Sequence, residues 1–425
     1  MARQGGSAPC RRLRRDGLID PLDEIIRIEG GQVLATLIRL TGDIERAEDA
    51  LHDAIVVAAD VWRRDGVPDK PGAWLTTVAR NKELDRIRRE ARRTPKEVEA
   101  FRLLTEGSGS DEVDNRDDRL RLLFTCCHPA LSPESQVALA LRTICGLTTV
   151  DIARVFLVPE ATIGQRISRA KAKIAKARIP YRVPDAHELP DRLRPVLATV
   201  YAVFTAGHHA PVGEQGGRVD LADEAIRLAR VLVELMPDEA ECVGLLALTL
   251  ATNARRPART DSSGEMVLLA DQDRSLWDSA AIAEASTLVD SVLRRGRPGA
   301  YQIQAAIACL HGAASCYAET DWPQIAELYL LLENRWPTPV VRVNRAVAVT
   351  EVAGPLAGLA LLDDLVGSPT ERWHLYWSTR ADFQRRLGDT TVAADSYRQS
   401  LSCPCNDSDR RFLLRRLASL EHEHL

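Results

Sequence analysis

The sequence predicts an all-α protein, and three observations carry that prediction. Apolar residues recur at three- and four-residue spacing through most of the 425 residues, with little of the strict alternation that marks half-buried strands. Helix start and stop signals fall where the periodicity breaks, as at Asp43, Pro71, Ser132-Pro133 and Gly146. In the C-terminal half, Thr320, Gly354 and Gly388 lie 34 residues apart, each opening a helical stretch that follows another helix.

Taken in order, the first segment covers residues 20–95. Asp43 is placed to cap a helix whose Ile44, Ala47, Leu51, Ile55, Ala58 and Trp62 form an apolar stripe, leaving Glu45, Glu48, Asp49 and Asp53 largely outward. After a loop from Arg63 to Lys70, Pro71 starts another helix with Trp74, Leu75, Val78 and Ala79 turned inward. Its outer positions, including Arg80, Asn81, Lys82, Arg86, Arg88 and Arg89, make it strongly basic.

Residues 96–116 read as an acidic flexible linker. The stretch from Thr105 to Asp114 holds too few apolar residues to pack. Residues 117–182 then spell a helix-turn-helix. Ser132 and Pro133 begin a helix with Val137, Leu139, Ala140, Leu141 and Ile144 on its apolar face. A short helix from Thr148 to Phe156 follows, and the Val158-Pro159 turn keeps it from running into the next. On that next helix Ile163, Ile167, Ala170 and Ile174 recur at helical spacing, so Gln165, Arg166, Ser168, Arg169, Lys171 and Lys173 fall mainly on the other faces. No acidic residue occurs from Ala161 to Pro184. A local cationic excess of this kind neutralises phosphates, and its hydroxyls and amides can reach base edges in a major groove.

Pro180, Pro184 and Pro190 mark a second boundary, and residues 189–425 form a helical extension. Its stretches DWPQIAELYLLL, PLAGLALLDDL and DTTVAADSYRQSL repeat at the tetratricopeptide interval. Ala381, Leu387, Gly388, Ala393, Tyr397 and Leu401 sit at its small and large packing positions. Irregular stacked helix pairs would present a concave surface suited to a protein or peptide partner.

The net charge of -4 and a pI near 6.2 argue against a protein that coats nucleic acid generally. No apolar run reaches membrane-span length, and the Arg11 to Arg15 cluster lacks the apolar core of a signal peptide, so no membrane partner and a cytoplasmic location are expected. Nine cysteines show no repeated metal-ligand spacing. Cys126-Cys127-His128 and Cys403-Pro404-Cys405 read as structural thiols, and His208-His209 has no carboxylate or glycine-loop constellation with it. No catalytic residue, metal site or cofactor is therefore expected.

Two basic modules on a short tether, the first with AEDALHDAI (Ala47 to Ile55) and WLTTVARNKELDRIRRE (Trp74 to Glu90) and the second with TIGQRISRAKAKI (Thr162 to Ile174), resemble the extracytoplasmic-function sigma factors of bacterial RNA polymerase. The resemblance covers roughly the first 180 residues. It implies promoter DNA and core RNA polymerase as partners, with polymerase binding by Glu48, Asp49, Leu51, His52, Asp53 and Trp62. It implies -10 element contacts by Trp74, Arg80, Asn81, Lys82, Asp85, Arg86, Arg88 and Arg89, and -35 element contacts by Thr162, Gln165, Arg166, Ser168, Arg169, Lys171 and Lys173. The linker is implied to run toward the polymerase active-site and RNA-exit channel. His52, Ile55 and Gly164 depart from the family pattern, which puts base preference in doubt rather than fold. With its tetratricopeptide-like tail the chain resembles the ECF42 subgroup, in which the extension is thought to govern activity. The competing reading is a ligand- or partner-responsive helix-turn-helix regulator with a helical-repeat sensor. It leaves AEDALHDAI and WLTTVARNKELDRIRRE without a role.

Overall fold

The computed structural model describes residues 21–90, 111–156, 158–185, 187–208, 221–262, 265–296, 298–405 and 407–422. Among them are eighteen α-helices, five short 3-10 turns and one isolated antiparallel bridge between Thr260 and Met266. The chain is all-α, as its periodicity predicts.

The first group comprises α1 (Pro21–Thr41), α2 (Ile44–Asp65) and α3 (Pro71–Glu90). α2 starts where it does because Asp43 Oδ1 accepts from the backbone N–H groups of Glu45 and Arg46, at 2.8 and 3.1 Å. Its buried line is Ala47, Ala50, Ala54, Ala58 and Trp62. Leu51 and Ile55, expected on that line, are only half-buried. Alanines allow close helix approach, which leaves the longer side chains at the edges of the groove. Glu83 of α3 is 1% exposed and meets Arg46 of α2 at 2.6 Å, tying the two helices together.

The second group comprises α4 (Asp111–Cys126), α5 (Pro133–Thr143), α6 (Thr149–Val155) and α7 (Glu160–Lys176). Of the expected 96–116 linker, residues 96–110 lie outside the described residues. Residues 111–116 are not linker but the first turns of α4. Acidic residues at a helix N-terminus are favoured by its dipole, so polarity there signalled a helix start. Ser132 Oγ caps α5 by accepting from Ser135 N. Gln136, Val137, Ala138, Leu139, Ala140 and Leu141 are all buried, so α5 has almost no solvent face.

The extension runs through α8 (Leu189–His208), α9 (Leu221–Leu235), α10 (Ala240–Asn253), α11 (Ser279–Leu293), α12 (Ala300–Ala313), α13 (Trp322–Arg335), α14 (Pro339–Ala353), α15 (Pro355–Asp363), α16 (His374–Arg386), α17 (Thr390–Ser402) and α18 (Asp407–His422). The proline-marked boundary does not divide the core. One continuous cluster of buried side chains joins Leu37, Trp62, Phe124, Leu139 and Ile163 to Val196, Phe204, Leu228 and Leu246. The reason is the all-round apolarity of α5 and of α10, which need neighbours on every side.

Beyond α12 the core breaks into smaller clusters. One holds Ile307, Ile325 and Ala348, the next Ala346, Leu362 and Phe383, the last Ala381, Tyr397 and Leu413. Each is shared by successive helices, an arrangement in which a unit contacts only its neighbours. Gly358 shows how close α14, α15 and α16 approach: a methyl there would come within 1.9 Å of Thr350 Oγ1 and 2.7 Å of the Phe383 ring.

Candidate nucleic-acid interface

α7 follows the Val158-Pro159 turn and buries Ile163, Ile167, Ala170 and Ile174, the four positions expected to face inward. That line occupies one side of the helix and forces the polar residues to the other. Gln165, Ser168 and Arg169 are exposed, and Thr162 and Arg166 are half-exposed. Thr148 Oγ1 accepts from Asp151 N to cap α6, and Thr149 Oγ1 donates to Glu160 Oε1 at 3.0 Å, joining the starts of α6 and α7. These contacts hold the exposed face of α7 at a defined angle to α5 and α6.

Two of the expected DNA-facing lysines are engaged elsewhere. Lys171 Nζ lies 2.5 Å from Glu48 Oε2 of α2, with the two side chains only 13% and 25% exposed. Lys173 Nζ donates to the Ala130 carbonyl. Side-chain reach explains both: long flexible ammonium arms turn back onto the nearest acceptor when a neighbouring helix supplies one.

On the first group, His52 and Asp53 are exposed on α2, and Asn81, Lys82 and Asp85 are exposed on α3. Arg80 is half-exposed. Asp49 is exposed and meets Arg86 Nη1 at 3.3 Å, so an expected polymerase contact pairs with an expected DNA contact. Arg88 and Arg89 continue α3, and their side chains lie outside the described residues. Trp62 corrects the expectation of a polymerase contact: it is 7% exposed and packs tilted against the half-buried Trp74, ring centroids 5.4 Å apart at 58°. Large aromatic rings on the inward stripe of α2 and α3 complete the core between the helices. Leu51 is likewise partly buried against that core.

Several side chains that hold the two groups together escaped the sequence reading. Asp118 of α4 is fully buried and bonded by Arg39 of α1 at 2.8 Å and by Arg121 at 3.1 Å. The Tyr181 hydroxyl lies 2.8 Å from the Ala35 carbonyl and 2.9 Å from that of Asp118, so its proton is shared between α1 and α4. Burial first, and the Asp118 carboxylate second, raise the Tyr181 pKa and keep it a donor. Gly31 of α1 packs on the end of α5, where a Cβ would fall 2.3 Å from the Ile144 carbonyl oxygen. Arg192 of α8 donates to the Phe124 carbonyl at 2.9 Å, extending the clamp to the extension. Glu83 was legible, since Leu75, Ala79, Glu83 and Ile87 share one i, i+4 line. The others depend on contacts across long stretches of chain.

The Cys126 and Cys127 thiols are fully buried, and burial pushes Cys126 up and Cys127 to about 12. Cys145 is likewise pushed to about 12 by burial. Thiols this reluctant to ionise pack as small apolar groups. His208 and His209 contribute no described side chain. No helix among the described residues is long and apolar enough to cross a membrane.

Comparison with known proteins follows the same divisions. A family model for Sigma-70 region 2 matches residues 25–93, and one for Sigma-70, region 4 matches residues 121–174. Residues 192–293 match a family of unknown function, DUF6596. The chain is 42% identical over 398 residues to an uncharacterized protein of Rhizobium meliloti (strain 1021), covering 92% of this chain and 94% of that one. No solved structure matches the chain.

Proposed function

Because the chain belongs to the sigma-70 family, we propose that it binds core RNA polymerase and directs promoter-specific initiation as an extracytoplasmic-function member whose helical extension modulates it. The observation that carries this reading is the order of two matched regions in one chain, region 2 at 25–93 and region 4 at 121–174. A helix-turn-helix regulator would account for the second and leave the first idle.

In this reading Gln165, Ser168 and Arg169 meet the -35 element, with Arg166 beside them. Arg80, Asn81 and Lys82 meet the -10 element. Phosphate neutralisation supplies most of the affinity, and contacts to base edges supply selection. Opening the duplex requires only that unstacked bases be bound more tightly than paired ones, so no catalytic group is needed.

Modulation by the extension is supported by the shared core. α8 packs against α5, and Arg192 reaches α4, so a partner that shifts the extension also acts on the -35 reader. The Glu48–Lys171 contact supports a closed resting form, because each of those residues is wanted by a different partner. The successive clusters after α12 support a tetratricopeptide-like stack that engages a protein or peptide.

In vitro transcription on genomic DNA with core polymerase, with and without the chain, tests the proposal. New transcripts starting at positions that share upstream elements are expected. Stable DNA binding without association with core polymerase, and without new starts, would sink it.

A further inference from the structure

The C-terminal end of α7 closes in a turn that asks for a glycine and holds an arginine. Arg178 N–H donates to the Ala175 carbonyl at 3.2 Å and Ile179 N–H to that of Ile174 at 3.0 Å, the two bonds of a Schellman motif. Ile174 and Ile179, both 8% exposed, join the same core cluster and fix the turn from within. The residue between the helix and Ile179 is thereby forced into the left-handed region, and Arg178 has φ +49°.

Glycine suits such a position because it has no Cβ to crowd the following carbonyl oxygen. The other left-handed positions among the described residues are all glycines, and Gly42, Gly66 and Gly354 among them follow helix ends as Arg178 does. At Arg178 the backbone is strained for the sake of a side chain that the fold does not bury: it is exposed, and no acceptor is drawn onto it among the described residues. Lys176 is exposed as well, and seven residues after Arg169 it lies within about 20° of the same helix face. A cation here also complements the helix dipole, but Lys173 and Lys176 in the last turn already do that without strain.

We propose that Arg178, with Lys176 beside it, binds a backbone phosphate of duplex DNA and anchors the C-terminal end of α7 on the groove wall. The seventeen residues of α7 span about 25 Å, against about 12 Å for the width of the major groove. With the first turns of α7 at base edges, as in helix-turn-helix docking, its last turn overhangs the phosphate backbone. The negative end of the helix dipole would repel a phosphate there, and the two cations reverse the sign. An arginine fork takes two phosphate oxygens at once, which fixes the angle of the helix as well as its distance. The proposal rests on the DNA-reading role given to α7.

Binding of the full chain to a fluorescent random-sequence duplex across a sodium chloride series, paired with thermal unfolding, tests it. Phosphate contacts form on any sequence, so no promoter need be known. Arg178→Gly is expected to weaken binding about three- to tenfold at roughly 0.1 M salt and to lower the slope of log affinity against log salt by about 1. The same substitution relieves the backbone and should raise the melting midpoint by about 1–3 °C. Arg178→Lys, equally strained and equally charged, should keep both the slope and the midpoint. Weaker binding by a more stable chain is the signature of a residue held for its ligand. An unchanged slope in Arg178→Gly overturns the proposal whatever the midpoint does, as does a wild-type chain that binds no duplex. A chain that starts no transcripts with core polymerase, yet loses slope with Arg178→Gly, sinks the sigma-factor role and leaves this contact standing.

Discussion

Glu48 of α2 and Lys171 of α7, 123 residues apart in the chain, form an ion pair at 2.5 Å between the two modules. Both side chains are largely withdrawn from water, so removing one partner leaves the other charge poorly solvated. Urea unfolding of Glu48→Gln, Lys171→Gln and the double variant should give a coupling energy of about 1 kcal/mol or more. Additive single effects would mean that the contact contributes nothing.

Gly31 fixes how close α1 comes to α5. Because a methyl would meet a backbone oxygen rather than a movable side chain, Gly31→Ala must push the helices apart. A loss of about 1–3 kcal/mol is expected in thermal unfolding. An unchanged melting temperature would contradict the packing.

The shared core makes the extension part of the folding unit. A chain ending at Pro184 strips the neighbours from α4 and α5 and exposes Phe124, Leu139 and their surroundings. Such a chain should aggregate or bind a hydrophobic dye strongly. If it instead melts cooperatively at the full-length temperature, α8 to α10 are dispensable to the two modules.

His311 supplies a pH dependence. Burial first, then Arg255 and Arg274, depress its pKa to about 3. The unfolded chain, with an ordinary value near 6.5, therefore binds the extra proton between about pH 6.5 and 3, and stability falls as pH drops through that window. Lowering the pH from 7 to 5 should cost roughly 1–2 kcal/mol through this residue. His311→Gln should flatten that part of the urea-midpoint profile, and a parallel profile would count against the burial.

Arg169 is an exposed cation of α7 onto which no acceptor is drawn among the described residues. Arg169→Ala should weaken promoter binding and lower the slope of log affinity against log salt by about 1 if it meets a phosphate. A base contact would instead change sequence preference and leave the slope alone. Fluorescence anisotropy across a salt series separates these results, and no change in either quantity would remove Arg169 from the interface.

Much of this architecture was legible from local pattern. The caps at Asp43 and Ser132, the inward line Ile163, Ile167, Ala170 and Ile174, and the helix openings near Thr320, Gly354 and Gly388 all follow from backbone hydrogen bonding and the 3.6-residue period. These act over a few residues, so a reader of sequence sees them directly. Acidic residues signal both solvated chain and a helix start, so sequence alone does not separate the linker from the first turns of α4 at residues 111–116. Trp62 lies on the buried stripe of α2, a place that its spacing from Ala47, Ala54 and Ala58 already encodes.

Helix identity, the turn before Glu160 and the excess of basic residues on α3 and α7 are consequences of residue order. Which charges remain available to a partner is not. Lys171 is consumed by Glu48, Lys173 by the Ala130 carbonyl and Arg39 by Asp118, each through a contact between segments distant in sequence. Such pairings arise from the packing of whole helix faces, which apolar burial drives and side-chain geometry completes, and no local spacing encodes them.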